Sequence, residues 1–155
     1  MNIKVNTHIS SEYLDIQIDI KAPVLNDETK MIIDAISNMP SHNQTIAAEA
    51  NNNIYILSIN KIYCFFSDEK YNYCLTKDGT YRIRSTLYEL EQNLDNNNWI
   101  RISNSCIINL NHVRCFDMGT VGSIVVILEN GVRKDVAKRK IKEIMNLLKK
   151  RRELK

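Results

Sequence analysis

The chain has 155 residues, of which 44% are hydrophobic and 25% charged, with 4 Gly and 2 Pro, which fits a folded domain and excludes a collagen-like, linker-like or wholly disordered polypeptide. No apolar run approaches the roughly 20 residues that span a bilayer, and the N-terminus alternates where a leader would show a basic stretch and an apolar core, so a soluble, cytoplasmic protein is expected. The net charge of +3 is uneven: from Gly131 onward eleven Lys or Arg stand against three Asp or Glu, a net +8, whereas the first 130 residues carry −5.

In residues 1–45, Leu14, Ile16, Ile18 and Ile20 alternate with Asp15, Gln17, Asp19 and Lys21, the period of a half-buried strand, which Pro23 stops. Asn26 offers an N-cap, Asp27 and Glu28 follow in the first turn, and Met31, Ile32, Ala35, Ile36 and Met39 recur at helical spacing as far as Pro40. A polar stretch, 41–44, links this strand–helix extension to a second part, 46–155. Residues 46–136 read mostly as strand. The runs 54–59 and 61–66 are rich in β-branched and aromatic residues, and 71–75 and 80–84 flank Asp78-Gly79, a pair that suits a type I′ hairpin turn. Pairing across that turn puts Cys74, Thr76, Tyr81 and Ile83 on one face, and Tyr71, Tyr73 and Leu75 on the other with Arg82 and Arg84, where arginine can stack on tyrosine. Ser85 is placed to cap a short helix whose buried stripe is Leu87, Leu90 and Leu94. A second hairpin, 123–129 with 132–136, closes at Asn130-Gly131. Residues 137–155 read as a helix with Ile141, Ile144, Met145 and Leu148 on its apolar face and basic residues over the remainder. That basic end is either a polyanion-binding surface or a solvated helix face.

Catalysis finds no support. Cys64, Cys74, Cys106 and Cys115 form no C-x-x-C pair and each sits in or beside an apolar run, as small buried hydrophobes do. His8, His42 and His112 lie far apart, so neither a metal nor another cofactor is expected. Gly119-x-x-Gly122 lacks the remainder of a phosphate-cradling motif. Asp15 and Asp19 fall on the outer face of an alternating strand, and Ser103 and Ser105 have no base nearby in sequence and no nucleophile elbow around them. No small-molecule substrate is implied.

The run Trp99-Ile100-Arg101-Ile102-Ser103-Asn104-Ser105-Cys106-Ile107-Ile108-Asn109-Leu110-Asn111-His112-Val113 resembles the signature of the LytTR family of bacterial DNA-binding domains: an aromatic, an Arg, a short polar pair, Ser, two apolar residues and Asn-Leu-x-x-Val. The surrounding order is similar too. Residues 62–73 resemble the family's early strand pair, Ser85-Thr86-Leu87-Tyr88-Glu89-Leu90-Glu91-Gln92-Asn93-Leu94 its short helix, and Asn130-Gly131 and Val136-Ala137-Lys138-Arg139 its late turn and basic segment. The likeness covers about residues 46–148. It departs at Ser103-Asn104, where the family often has His-Arg, and at Ala137, where it often has Ser.

The resemblance implies an α+β, mainly β fold: an elongated LytTR-like β domain with short helices over 46–155, preceded by the strand–helix extension 1–45. It implies double-stranded DNA as partner, loops entering the major groove, and two copies on paired direct repeats. By position it places DNA contacts near Lys70, at Asn104 and at Arg139, with Arg101, Ser103 and Lys138 beside them. The residue chemistry agrees: Asn presents a bidentate amide to adenine, and Arg bonds guanine O6 and N7. A second reading stays open for each, Asn104 as a turn residue bonding its own backbone and Arg139 as a surface charge at a helix start. Arg101 suits a phosphate or an acidic neighbour more than a base edge. Asn109 and Trp99 read as structural. A DNA-binding transcriptional regulator, homodimeric on DNA, is therefore expected. Residues 1–45 are too few for a phospho-acceptor receiver domain, which leaves control to concentration, a membrane-protein partner or the extension itself. The rival is an interaction module whose basic C-terminal helix binds an acidic protein or an anionic membrane surface.

Overall fold

The computed structural model describes residues 3–12, 18–37 and 44–153. The chain divides into two compact units, Met1–Met39 and Pro40–Lys155. In the first, the helix α1 (Asp27–Ser37) begins as its sequence predicts: Asn26 Oδ1 accepts the Thr29 backbone N–H at 2.9 Å and its hydroxyl at 2.8 Å. The expected strand does not form where it can be judged. Residues 18–20 have no strand pairing, and Ile18 and Ile20 are exposed; Leu14, Asp15, Ile16 and Gln17 lie outside the described residues. Alternation is only half of a strand, and without a partner ladder its backbone groups gain nothing over water. Met39 and Pro40, the expected end of the helix, also lie outside the described residues.

The second unit is mostly β with short helices. Its large sheet has the order β2-β1-β5-β4-β3-β7-β6, where β1 is Thr45–Ala50, β2 Asn53–Ser58, β3 Ile62–Asp68, β4 Tyr71–Thr76, β5 Gly79–Ile83, β6 Trp99–Ser103 and β7 Cys106–Asn109. A small sheet, β10-β9-β8, is built from β8 (Val113–Asp117), β9 (Val125–Leu128) and β10 (Arg133–Asp135). Every pairing is antiparallel, and neither sheet closes into a barrel. The edge strand β2 is largely exposed, whereas the middle of the large sheet is covered on both faces. On one, α2 (Leu87–Asn93) buries Leu87, Leu90 and, just beyond its end, Leu94 against Ile62, Phe65, Cys74, Ile83, Trp99 and Ile107. On the other, Ile124 just before β9, Val126 and Leu128 of the small sheet and Ile144 of α3 (Ile141–Glu153) pack on Cys64, Leu75, Ile102, Cys106 and Ile108. β7, buried at all four positions, is therefore a continuous apolar run ended by Asn109.

Several local expectations shift. The mirror-image turn placed at Asp78-Gly79 is found instead at Asn51 and Asn52, whose φ of 50° and 64° asparagine tolerates better than most residues. The hairpin at 71–83 forms with the predicted faces, but its loop is Lys77 and Asp78, with Gly79 (φ 145°) already paired to Thr76. The Thr76 hydroxyl, accepting the Asp78 N–H at 3.1 Å, sets that loop. The cap of α2 is Thr86, not Ser85, because Thr86 completes a capping box with Glu89. The C-terminal helix starts as a single 3₁₀ turn, Lys138–Lys140, and Met145 is exposed while Leu147 and Leu148 are half-buried. Cys115 is exposed, unlike the other three cysteines. Burial pushes the Cys74 thiol up to about 11, and hydrogen bonding with Cys106 raises that of Cys64.

Candidate nucleic-acid interface

Antiparallel pairing of β3 with β7 sets Phe66 opposite Cys106, and the Ser67 N–H donates to Ser105 O at 2.9 Å. The β3–β4 turn at Glu69 and Lys70 and the β6–β7 turn at 103–105 therefore lie at the same end of the sheet. The chain returns to this end a third time: leaving β10, the Ala137 N–H donates to Ile102 O at 2.8 Å, so Lys138 and Arg139 begin the basic segment beside β6. Three stretches remote in sequence converge, and one contact joins two of them directly. The Arg139 guanidinium donates through Nη2 to Asn104 Oδ1.

Each expected site residue has a definite place. Asn104, Lys138 and Arg139 are exposed, as a groove-entering surface requires, and Lys70 is exposed at its turn, where Glu69 adopts φ 53°. Ser103 is half-buried, its hydroxyl accepting the Ser105 N–H at 3.2 Å and so narrowing the turn. Arg101 points back into the protein. It ion-pairs with Glu91 of α2 at 2.7 Å and donates to Ser103 O and Asn104 O at 3.1 and 2.7 Å. Of the two partners that its sequence suits, phosphate and an acidic neighbour, the structure supplies the acidic neighbour.

Lys134 lies over the Phe66 ring, its Nζ 4.1 Å from the centroid, and Arg82 stacks on Tyr71 at 3.6 Å, the pairing its sequence register predicts. Sequence reasoning missed Glu91, whose only signal was its place on the flank of a predicted amphipathic helix. Within the exposed basic end of α3, Arg151 also donates to Asn97 O at 2.9 Å. Among the described residues no cluster of His, Cys, Asp and Glu could hold a metal, and no helix is long and apolar enough to cross a membrane.

A model of the LytTr DNA-binding domain family matches residues 52–149. A Staphylococcus aureus (strain MSSA476) protein named as an uncharacterized HTH-type transcriptional regulator is 27% identical over 146 residues, covering 94% of this chain and 98% of its own length. A relative of the same description from the bovine strain RF122 / ET3-1 is 31% identical over 107 residues, 69% of this chain and 71% of its own. Among solved structures, a LytTr DNA-binding domain from Bacillus cereus superposes with a TM-score of 0.65 at 21% identity, over 68% of this chain and 97% of that one.

Proposed function

Since the chain belongs to the LytTR family of DNA-binding domains, we propose that it is a bacterial, cytoplasmic transcriptional regulator that reads the major groove with the 103–105 turn and the segment entering α3. The observation that carries this reading is the contact of Arg139 with Asn104, two exposed side chains with base-reading chemistry brought together from positions 35 residues apart. Among the described residues no two α-helices follow one another without intervening strands, and the exposed Asn104 at the β6–β7 turn supports groove entry by a turn. Lys70 and Lys138, exposed beside the two readers, neutralise backbone phosphates. Two copies then occupy paired direct repeats, and residues 1–45, with three basic against six acidic side chains, stay off the DNA and serve assembly or control.

Selection from a pool of random duplexes, followed by affinity measurement over a salt series, tests the proposal. One enriched sequence, with log K falling about 0.9 per phosphate neutralised for each decade of salt, is the expected result. Equal binding to all duplexes, or preference for anionic vesicles over DNA, refutes it.

A further inference from the structure

A side chain can read a base only if something fixes its direction, and for Asn104 the fixing group is not on its own turn. Arg101 lies on β6, on the face it shares with Trp99 and that meets α2. Among the described residues its guanidinium makes three hydrogen bonds, all internal: Nε to Ser103 O at 3.1 Å, Nη2 to Asn104 O at 2.7 Å, and Nη1 to Glu91 Oε2 at 2.7 Å. The side chain is only 20% exposed. A guanidinium is a rigid plane with donors in fixed directions. Holding two consecutive carbonyls on one plane fixes the peptide on either side of the Asn104 Cα, and so the direction in which its Cβ leaves. The third contact fixes the plane itself, because Glu91 sits on a helix held by its capping box and by Leu87 and Leu90.

We propose that Arg101, anchored by Glu91, is the positioning residue for Asn104 and makes no phosphate contact. This rests on the reading of Asn104 as a base reader. The positive charge of Arg101 is compensated within the molecule, so it adds little to the field at the DNA. Its value lies in geometry, which lysine, a point charge with freely rotating donors, does not reproduce.

The test uses the full chain and four variants, Arg101→Lys, Arg101→Ala, Glu91→Gln and Asn104→Ala, each checked by circular dichroism for an unaltered fold. Affinity is measured for a selected duplex and a scrambled one over a salt series. Both Arg101 variants are expected to lower the ratio of specific to non-specific affinity by about tenfold or more, with an unchanged salt slope. Glu91→Gln, which retains an acceptor oxygen, should fall between them and the wild type. If Arg101→Lys keeps the full ratio, and Arg101→Ala loses affinity equally on both duplexes with a slope shallower by about 0.9, Arg101 is a phosphate contact and the proposal is overturned.

Amide hydrogen exchange without DNA separates this result from the fate of the base-reading proposal. Ser67 and Ser105 donate across and within the turn. Both should exchange faster in Arg101→Lys and keep wild-type protection in Asn104→Ala. Should the wild type show no sequence preference, base reading fails, yet unchanged protection in Arg101→Lys would still overturn the positioning role and lost protection would still support it.

Discussion

Two turns at the same end of the large sheet are built in opposite ways. The 103–105 turn is bound on every side: Ser103 Oγ accepts from Ser105, Ser105 O accepts from Ser67, and Arg101 holds the carbonyls of 103 and 104. The turn at Glu69 and Lys70, one hairpin away, carries both residues exposed and a positive φ at Glu69. On the proposed reading, the difference matches what each turn would deliver. Reading a base edge requires a donor or acceptor held in a fixed direction, whereas neutralising a phosphate requires only a charge within reach. A turn bound through its carbonyls suits the first task, and an exposed lysine on a tight hairpin turn suits the second.

The largest expected effect comes from undoing the strand that carries the bound turn. Ile108 is fully buried on β7, between the small sheet and β3. Ile108→Ala should lower stability by about 2–5 kcal/mol through lost burial and the cavity left behind, seen as a reduced urea midpoint. The fraction that remains folded should still discriminate between duplexes. Loss of discrimination without loss of stability would show that Ile108 acts on the turn directly and not through the stability of the fold.

A sharper probe stays on the turn. Because Arg139 Nη2 donates to Asn104 Oδ1, the two side chains form one unit and not two independent readers. Asn104→Ala and Arg139→Ala should each cost about 1–3 kcal/mol on the selected duplex and little on a scrambled one. The double variant should cost less than their sum by at least about 0.5 kcal/mol, the coupling expected of residues in contact. Strict additivity would mean that the contact dissolves on DNA and that each residue reads its own base.

How much of this was legible in the sequence depends on what kind of interaction does the work. Periodicity and burial were: the stripe Leu87, Leu90 and Leu94, the pairing of Tyr71 and Tyr73 with Arg82 across their hairpin, and Asn109 as a buried polar residue donating to Ile62 O at 3.0 Å all follow from local pattern. Turn register was not, because a nearby hydroxyl decides it, as Thr76 does two residues before Asp78 and Thr86 does for α2. Strand β1 lay within the stretch read as mostly strand but was not singled out, because Thr45-Ile46-Ala47-Ala48-Glu49-Ala50 carries helix-favouring residues and pairing with β2 and β5 defines it. At the candidate site, residue types singled out Asn104 and Arg139. The contact between them, and the tie from Arg101 to Glu91, depends on how β6, β10 and α2 converge, which no local spacing encodes.

The β3–β4 turn supplies a smaller prediction. Lys70→Ala should weaken binding to selected and scrambled duplexes equally and reduce the salt slope by about 0.9. Neutralising Lys149 and Lys150, on the far part of α3, should act in the same way or not at all. A change in sequence preference for Lys70→Ala would place this turn among the base readers and remove the distinction between the two.

The smallest effect concerns a third turn, bound like 103–105 but through a group that titrates. At the end of β8, Asp117 accepts the Gly119 N–H at 2.9 Å and the Arg133 guanidinium at 3.0 Å, and these hold its carboxyl below the usual carboxylate range, the backbone N–H first. A folded-state pKa below the unfolded one means that the ionised form stabilises the fold. The contribution is fully present above the unfolded pKa, near 4 for aspartate, and is lost as pH falls through the lower folded value. Because the carboxylate is exposed, solvent screens the pair and the effect stays small. The stability difference between wild type and Asp117→Asn should hold constant from about pH 7 to 5 and shrink below about pH 4, as read by thermal midpoints. The ratio of specific to non-specific DNA affinity should be the same in both proteins at neutral pH. If Asp117→Asn alters that ratio, binding a turn tightly would confer sequence reading wherever it occurs, and the special place of the 103–105 turn beside Arg139 would have to be given up.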